Sequence, residues 1–209
     1  MDDAKIDVRY IGRFIRKYQT DLAHVRHVAA LSGKLFRELI SVHKLDASCS
    51  ELLEVSALMH DVGHFISERK HHEHGEYLIL NDPLLDGMEE GARRTAACLA
   101  RNHRKRGDAG LEQWTDSTQL NAVRSLIAIL RIADVLDYEH RQEANIRAEV
   151  VMRGEERTIA LTTKGMDLQR YEKKIRKKSQ PAADHWQHVL LFQSEGCVFR
   201  IEPNKETAG

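Results

Sequence analysis

The chain has 209 residues, 42% of them hydrophobic and 31% charged, with a formal net charge of zero; this suffices for one large core or a main domain with an appendage, and gives no global field to gather polyanions. No apolar run approaches the ~20 residues that cross a bilayer, and the start Met1-Asp2-Asp3-Ala4-Lys5 lacks a signal-peptide pattern, so a cytoplasmic location without a membrane partner is expected. Three separated cysteines, Cys49, Cys98 and Cys197, form no CxxC pair, which points to reduced structural thiols rather than a disulfide framework.

Only Pro83, Pro181 and Pro203 interrupt the chain, leaving long stretches free for helix. After Asp21, an expected N-cap, Val25, Val28, Ala29, Leu31, Leu35, Phe36, Leu39 and Ile40 recur at helical spacing. Leu52, Leu53, Val55, Ala57, Leu58 and Met59 form a second helical segment, opened by Ser48 or Ser50. A third begins near His72 and breaks at Asn81-Asp82-Pro83, a fourth runs from Met88 to His103, and Gly107 to Gly110 is a loop. Leu120 to Tyr138 is apolar and lacks any breaker, which predicts a central helix with Asp134 near its end.

Beyond about Arg141 the pattern changes. Ile146 to Val151 and Thr158 to Thr163 are β-prone and separated by Gly154-Glu155-Glu156, which predicts a hairpin. Leu168 to Lys178 reads as a charged helix, His185 to Phe192 as its continuation or a further helix, and Cys197 to Ile201 as a last strand. The expected fold is mainly α: an all-helical body over residues 1–141 followed by a small α+β unit over 142–209, packed as a lid or dimerisation element.

The run Leu58-Met59-His60-Asp61-Val62-Gly63-His64 joins two complementary ligands for a divalent cation. Imidazole offers a neutral nitrogen and carboxylate a hard, charge-compensating oxygen, and only Asp can bridge two ions. Further candidates among the twelve histidines are His24, His71, His72, His74 and His103, together with Asp134. His24 lies one turn before Val28 and shares its stripe; His27 sits near the same stripe, and spacing does not choose between them. Asp134, in Ile132-Ala133-Asp134-Val135-Leu136, is a carboxylate in an apolar helix and needs a partner, which a metal would supply.

Basic residues accompany these candidates. Arg101, Arg104, Lys105 and Arg106 flank His103, and Arg131 precedes Asp134 by one turn. Arg104, Lys105 and Arg131 are placed to bind substrate oxygens, Arg131 alternatively to pair with a structural carboxylate. Lys173, Lys174, Arg176, Lys177 and Lys178 form a second, more remote cluster, either a polyanion-holding face or a solvated one. Without interleaved aromatics it does not read as a nucleic-acid platform.

These motifs resemble the HD-domain metal-dependent phosphohydrolases, whose signature is a His, a later His-Asp pair and a final Asp, here His24, His60-Asp61 and Asp134. Within that superfamily the chain is most similar to the C-terminal helical region of the exopolyphosphatase and guanosine-pentaphosphate phosphohydrolase family. The likeness is carried by Leu58-Met59-His60-Asp61-Val62-Gly63, His71-His72-Glu73-His74-Gly75-Glu76-Tyr77-Leu78-Ile79-Leu80-Asn81, Asn102-His103-Arg104-Lys105 and Leu130-Arg131-Ile132-Ala133-Asp134-Val135-Leu136-Asp137, and spans roughly Phe14 to Pro203. Those longer proteins carry an actin-like catalytic domain, and nothing like it fits before Phe14, so catalysis is expected to fall to the helical region.

The resemblance implies metal ligands His24, His60, Asp61 and Asp134, with His24 favoured over His27. It implies His71 and His103 for a second ion, with His72 and His74 as rivals to His71. Asp61 would bridge the ions and act with His64 in catalysis, His64 donating to a phosphate or leaving group unless it is a surface residue. One or two divalent ions are implied, with Mn, Mg, Fe, Ni and Zn not distinguished. The implied activity is hydrolysis of a nucleotide, polyphosphate or other phosphorylated small molecule by metal-activated water. The alternative is a non-catalytic polyphosphate- or nucleotide-binding module or homodimerisation element.

Overall fold

The computed structural model describes residues 8–104 and 109–204. The helices α1 (Val8–Tyr18), α2 (Leu22–Glu38), a four-residue α3 (Ile40–His43), α4 (Ser48–Met59), α5 (His71–Asn81), α6 (Glu90–Asn102) and α7 (Ser117–Leu136) precede a β1 (Asn145–Arg153) to β2 (Glu156–Lys164) hairpin, the helix α8 (Leu168–Trp186), and strands β3 (Val189–Ser194) and β4 (Cys197–Ile201). The protein is mainly α with one small sheet.

Side-chain caps explain the starts of several helices. Asp21, Asp116 and Asp167 each accept a backbone N–H three residues on, at the heads of α2, α7 and α8, satisfying donors that the first turn leaves unpaired. The apolar stripe read through Leu39 and Ile40 is broken: Leu39 sits at φ −102°, ψ 15°, and a new turn starts at Ile40.

The sheet order is β1-β2-β3-β4, with β1/β2 and β3/β4 antiparallel and β2/β3 parallel. Gly154 and Glu155 form the two-residue loop between the paired Arg153 and Glu156. Gly154 takes φ +65°, the left-handed first position that tight hairpins favour. The parallel step requires a crossover, and α8 provides it.

One expectation fails here. His185 to Phe192 is not a single helix, because α8 ends at Trp186 with Gln187 in the left-handed region, and Val189 opens β3. Val189-Leu190-Leu191-Phe192 are all buried on a central strand, and a strand covered on both faces shows no alternation to separate it from buried helix.

The segment after Arg141 shares its core with the helices. Val28, Leu35, Ile129 and Ala133 belong to the same buried cluster as Ile146, Ile159, Ile175 and Phe192. A second cluster joins α1, α4, α5 and α6 through Phe14, Met59, Ile79 and Ala97.

Pro181 lies inside α8. A proline there removes the hydrogen bond to the carbonyl four residues back and crowds it, which frees the Lys177 carbonyl for another donor. Arg131 of α7 reaches it and its neighbour, Nη2 donating to Lys177 O at 3.4 Å and Nε to Lys178 O at 2.9 Å. Its Nη1 donates to Asn102 O at the C-terminus of α6 at 3.0 Å. Arg131 is only 2% exposed, so α6, α7 and α8 are tied by one guanidinium.

Candidate metal centre

The side chains in question sit at helix ends, where the backbone still has unpaired groups. His60 and His103 are the C-caps of α4 and α6. Each pairs its Nδ1 with the carbonyl three residues back, His60 with Ala57 O and His103 with Ala100 O, both at 2.7 Å. His71, first residue of α5, lies 3.1 Å from Glu68 O through Nδ1. A carbonyl only accepts, so Nδ1 carries the proton in all three rings, and Nε2 presents a lone pair to the centre. Arg104 Nη1 also lies 3.3 Å from His71 Nδ1; since a neutral ring nitrogen cannot both donate and accept, we assign the proton to the Glu68 bond.

The Nε2 atoms meet around Asp61, whose two oxygens face two clusters. On the Oδ2 side, His24 Nε2 stands at 3.7 Å and His60 Nε2 at 3.5 Å. Asp134 Oδ1 lies 3.6 Å from the first and 3.8 Å from the second. On the Oδ1 side, His71 Nε2 and His103 Nε2 each stand at 3.4 Å, and the half-buried His64 at 3.8 Å. Groups of ligand atoms from His24, His60 and Asp134, from His60, Asp61 and His103, and from Asp61, His64 and His71 each fall within 4.8 Å of one another.

Gly63 makes the second cluster possible. A Cβ there would stand 1.9 Å from His71 O and 2.5 Å from Gly75 N, so only glycine lets the turn after Asp61 lie against α5.

Two observations suit a cation. The Nε2 atoms of His24 and His60 are buried with no hydrogen-bond partner, an expensive state for a polar atom. The Nε2 atoms of His71 and His103 approach to 3.1 Å, and with both protons on Nδ1 these lone pairs and Asp61 Oδ1 form a trio of acceptors with no donor among them. Burial, reinforced by neighbouring His103, pushes His71 down to about 3, and burial pushes His103 down to about 4 against the pull of Asp61. Both are neutral at pH 7, the form that binds metal. Burial by itself would raise Asp61, but His60 and His103 hold it well below the ordinary carboxylate range.

His24 is oriented by a carboxylate instead of a carbonyl. Its Nδ1 lies 2.9 Å from Asp137 Oδ2, and Asp137 Oδ1 accepts from the Gln142 N–H at 2.8 Å. The following loop places His140 (φ 55°) and Gln142 (φ 56°) in the left-handed region. The His140 ring stacks on His24 at 3.8 Å and holds Asp21 Oδ2 at 2.8 Å.

The structure thus brings together His24, His60, Asp61, His64, His71, His103 and Asp134. His27, His72 and His74 join none of these groups among the described residues. Arg104 is exposed and lies against His71, Lys105 lies outside the described residues, and Arg131 donates to the main-chain carbonyls of Asn102, Lys177 and Lys178.

The basic run of α8 is not one remote cluster. Lys174 Nζ lies 3.3 Å from the Tyr138 ring centroid and Arg176 pairs with Glu172. Lys178 reaches inward to contact Asp134 Oδ2. Burial pushes the Lys178 ammonium down to about 7, opposed by Asp61 and aided by Arg131 and Arg104.

Asp137 was findable from its place three residues after Asp134 on one helix face, whereas nothing local to Lys178 marks it. Geometry alone adds His64 to the ligand candidates.

A helical body whose inward His and Asp side chains share one carboxylate defines a candidate metal-binding protein. The sequence model described as Ppx/GppA phosphatase, domain III, matches residues 6–177, and the chain belongs to this family, the C-terminal region of the exopolyphosphatases. It is 28% identical over 167 residues to a guanosine-5'-triphosphate,3'-diphosphate pyrophosphatase of Vibrio vulnificus, covering 78% of this chain and 32% of that protein. It is 25% identical over 147 residues to the protein of the same name from Pseudoalteromonas atlantica, covering 70% and 29%. The chain therefore spans about a third of the length of these relatives. Among the described residues no helix is long and apolar enough to cross a membrane.

Proposed function

We propose that this chain is a metal-dependent phosphohydrolase of HD type, acting on a nucleotide, polyphosphate or other phosphorylated small molecule. The observation that carries this reading is the acceptor-only assembly around Asp61: buried, partnerless nitrogens of His24 and His60 on one oxygen, and the facing lone pairs of His71 and His103 on the other. His24, His60, Asp61 and Asp134 would hold one divalent ion, and Asp61, His64, His71 and His103 a second. Bound there, the metal would activate a water and neutralise phosphoryl oxygens. The names of the relatives, pyrophosphatases of a guanosine phosphate, support a phosphoanhydride as the scissile bond.

The chain's own residues would supply orientation and charge. Asp137 holds the His24 ring so that Nε2 faces inward, Ala57, Glu68 and Ala100 do the same for His60, His71 and His103, and exposed Arg104 would meet an arriving substrate oxygen. A second reading has its own support. The region of the relatives that matches is about a third of their length, so the activity in their names can reside in the other two thirds, which suits a non-catalytic nucleotide- or polyphosphate-binding or dimerisation role for this region. Elemental analysis of protein purified without chelators, followed by assay on nucleotides and polyphosphates, separates the two. Bound transition metal with phosphate release that chelation abolishes is the expected result; metal-free protein that binds polyphosphate without turnover would favour the module.

A further inference from the structure

Lys178 belongs to the rim of the centre by geometry but to none of the roles given so far. It lies one residue beyond the segment the family model matches. Its stem is mostly buried, with 17% of the side chain exposed, and its ammonium touches Asp134 Oδ2. The other oxygen of that carboxylate, Oδ1, faces His24 and His60. One carboxylate therefore separates the ammonium from the point where a cation would sit.

The main chain that carries this side chain is held in place as well. Arg131 donates to the Lys177 carbonyl that Pro181 frees and to the Lys178 carbonyl beside it, so α8 cannot rotate Lys178 away without breaking both bonds. A strut meant only to neutralise Asp134 would be redundant once a divalent cation occupied the Oδ1 side. Two cations on one carboxylate repel each other, and the pair then calls for an additional anion between them. Arg104, against His71, supplies positive charge from the end of α6, so an anion entering between Lys178 and Arg104 would meet cationic groups from two elements.

We infer that Lys178 is a catalytic residue of this centre, its ammonium turning from Asp134 to a non-bridging oxygen of a terminal phosphoryl dianion and favouring that group over a singly charged phosphodiester. The inference rests on the phosphohydrolase reading, and binding measurements keep the two apart. Mn²⁺ and inorganic phosphate serve as probes, with wild type, Lys178→Met and Lys178→Arg compared by calorimetry after circular dichroism shows the same fold. In Mn²⁺-loaded protein, Lys178→Met is expected to weaken phosphate binding about 10- to 100-fold, as for loss of one charge-assisted hydrogen bond. Mn²⁺ affinity should stay equal or rise, because a competing cation has gone, and Lys178→Arg should recover part of the phosphate affinity.

Unchanged phosphate binding in both variants, or a loss of Mn²⁺ affinity in Lys178→Met with phosphate binding intact, would overturn the assignment and leave Lys178 a strut for Asp134. If Lys178→Met does not fold, the result with Lys178→Arg decides: phosphate affinity equal to wild type in the face of the altered donor geometry overturns the assignment, and a several-fold change upholds it. Wild-type protein that takes up no Mn²⁺ would defeat the metal-centre reading itself, and this inference with it.

Discussion

The two sides of Asp61 are built differently. On the Oδ2 side a second carboxylate, Asp134, offsets the charge of a bound cation, and His24 is braced by Asp137, Gln142 and the stacked ring of His140. On the Oδ1 side three imidazoles share a single oxygen, the orientation of His71 and His103 rests on main-chain carbonyls, and His64 is partly open to solvent. Charge compensation and a braced shell favour tight, persistent binding on the first side. Scarce negative charge and the partial exposure of His64 would favour weaker, exchangeable binding of an ion on the second.

The harshest test of this contrast removes the residue common to both sides. Asp61→Ala should abolish metal uptake on each and lower any hydrolysis by on the order of 10³-fold or more; metal analysis alongside the assay checks it, and full metal content in that variant would show that the sides do not depend on one carboxylate. Gly63→Ala should spare the Oδ2 side and damage the other. The clash is with backbone, which cannot swing aside, so a stability loss of about 3 kcal/mol is expected, with one metal equivalent lost and one retained; denaturant titration and metal counting read both.

Asp137→Asn should act the opposite way. It keeps the shape but weakens the brace on His24, and should reduce metal affinity on the Oδ2 side by about 10- to 100-fold while the weaker equivalent is unchanged. Competition against a chelating dye resolves the two classes, and a uniform loss would contradict the division.

The smallest effect lies away from the centre. His43 is buried, with Nε2 2.8 Å from Phe36 O and Nδ1 accepting the Leu45 N–H, and burial depresses its pKa below the ordinary value. Above pH ~6.5 both folded and unfolded chains hold it neutral. As pH falls below that, the unfolded chain takes up a proton that the folded one refuses, so stability declines by at most about 1.4 kcal/mol per pH unit for this one group. Denaturation of metal-free protein between pH 7.5 and 5.5 should show a shallower decline in His43→Gln. An equal decline would assign the effect to the centre's own histidines.

How much of this was readable in the chain depended on whether the determinant was local. His60-Asp61 and Asp134 announced themselves because a carboxylate in apolar sequence demands a partner, and His24 and His103 stood at spacings that the resemblance made meaningful. The helices before Arg141 followed from period and caps. Strand β3 did not, because Val189 to Phe192 is apolar on every side. The main-chain acceptors of Arg131 were not readable, because they lie on two other helices and one of them is exposed by a proline fifty residues later. Lys178 came to the centre only through the crossover that α8 makes between β2 and β3, which no local pattern encodes.

That proline has a consequence for how the protein tolerates change. Arg131 and Pro181 are halves of one device: the break in α8 creates an acceptor and the guanidinium consumes it. Restoring the helix bond with Pro181→Ala takes Lys177 O away from Arg131, while Arg131→Leu strands the Lys177 carbonyl that Pro181 exposes. Each change alone leaves a buried polar group short of partners, and the pair together relieves much of that deficit. The two positions are thus epistatic, so the order in which they mutate governs whether an intermediate survives.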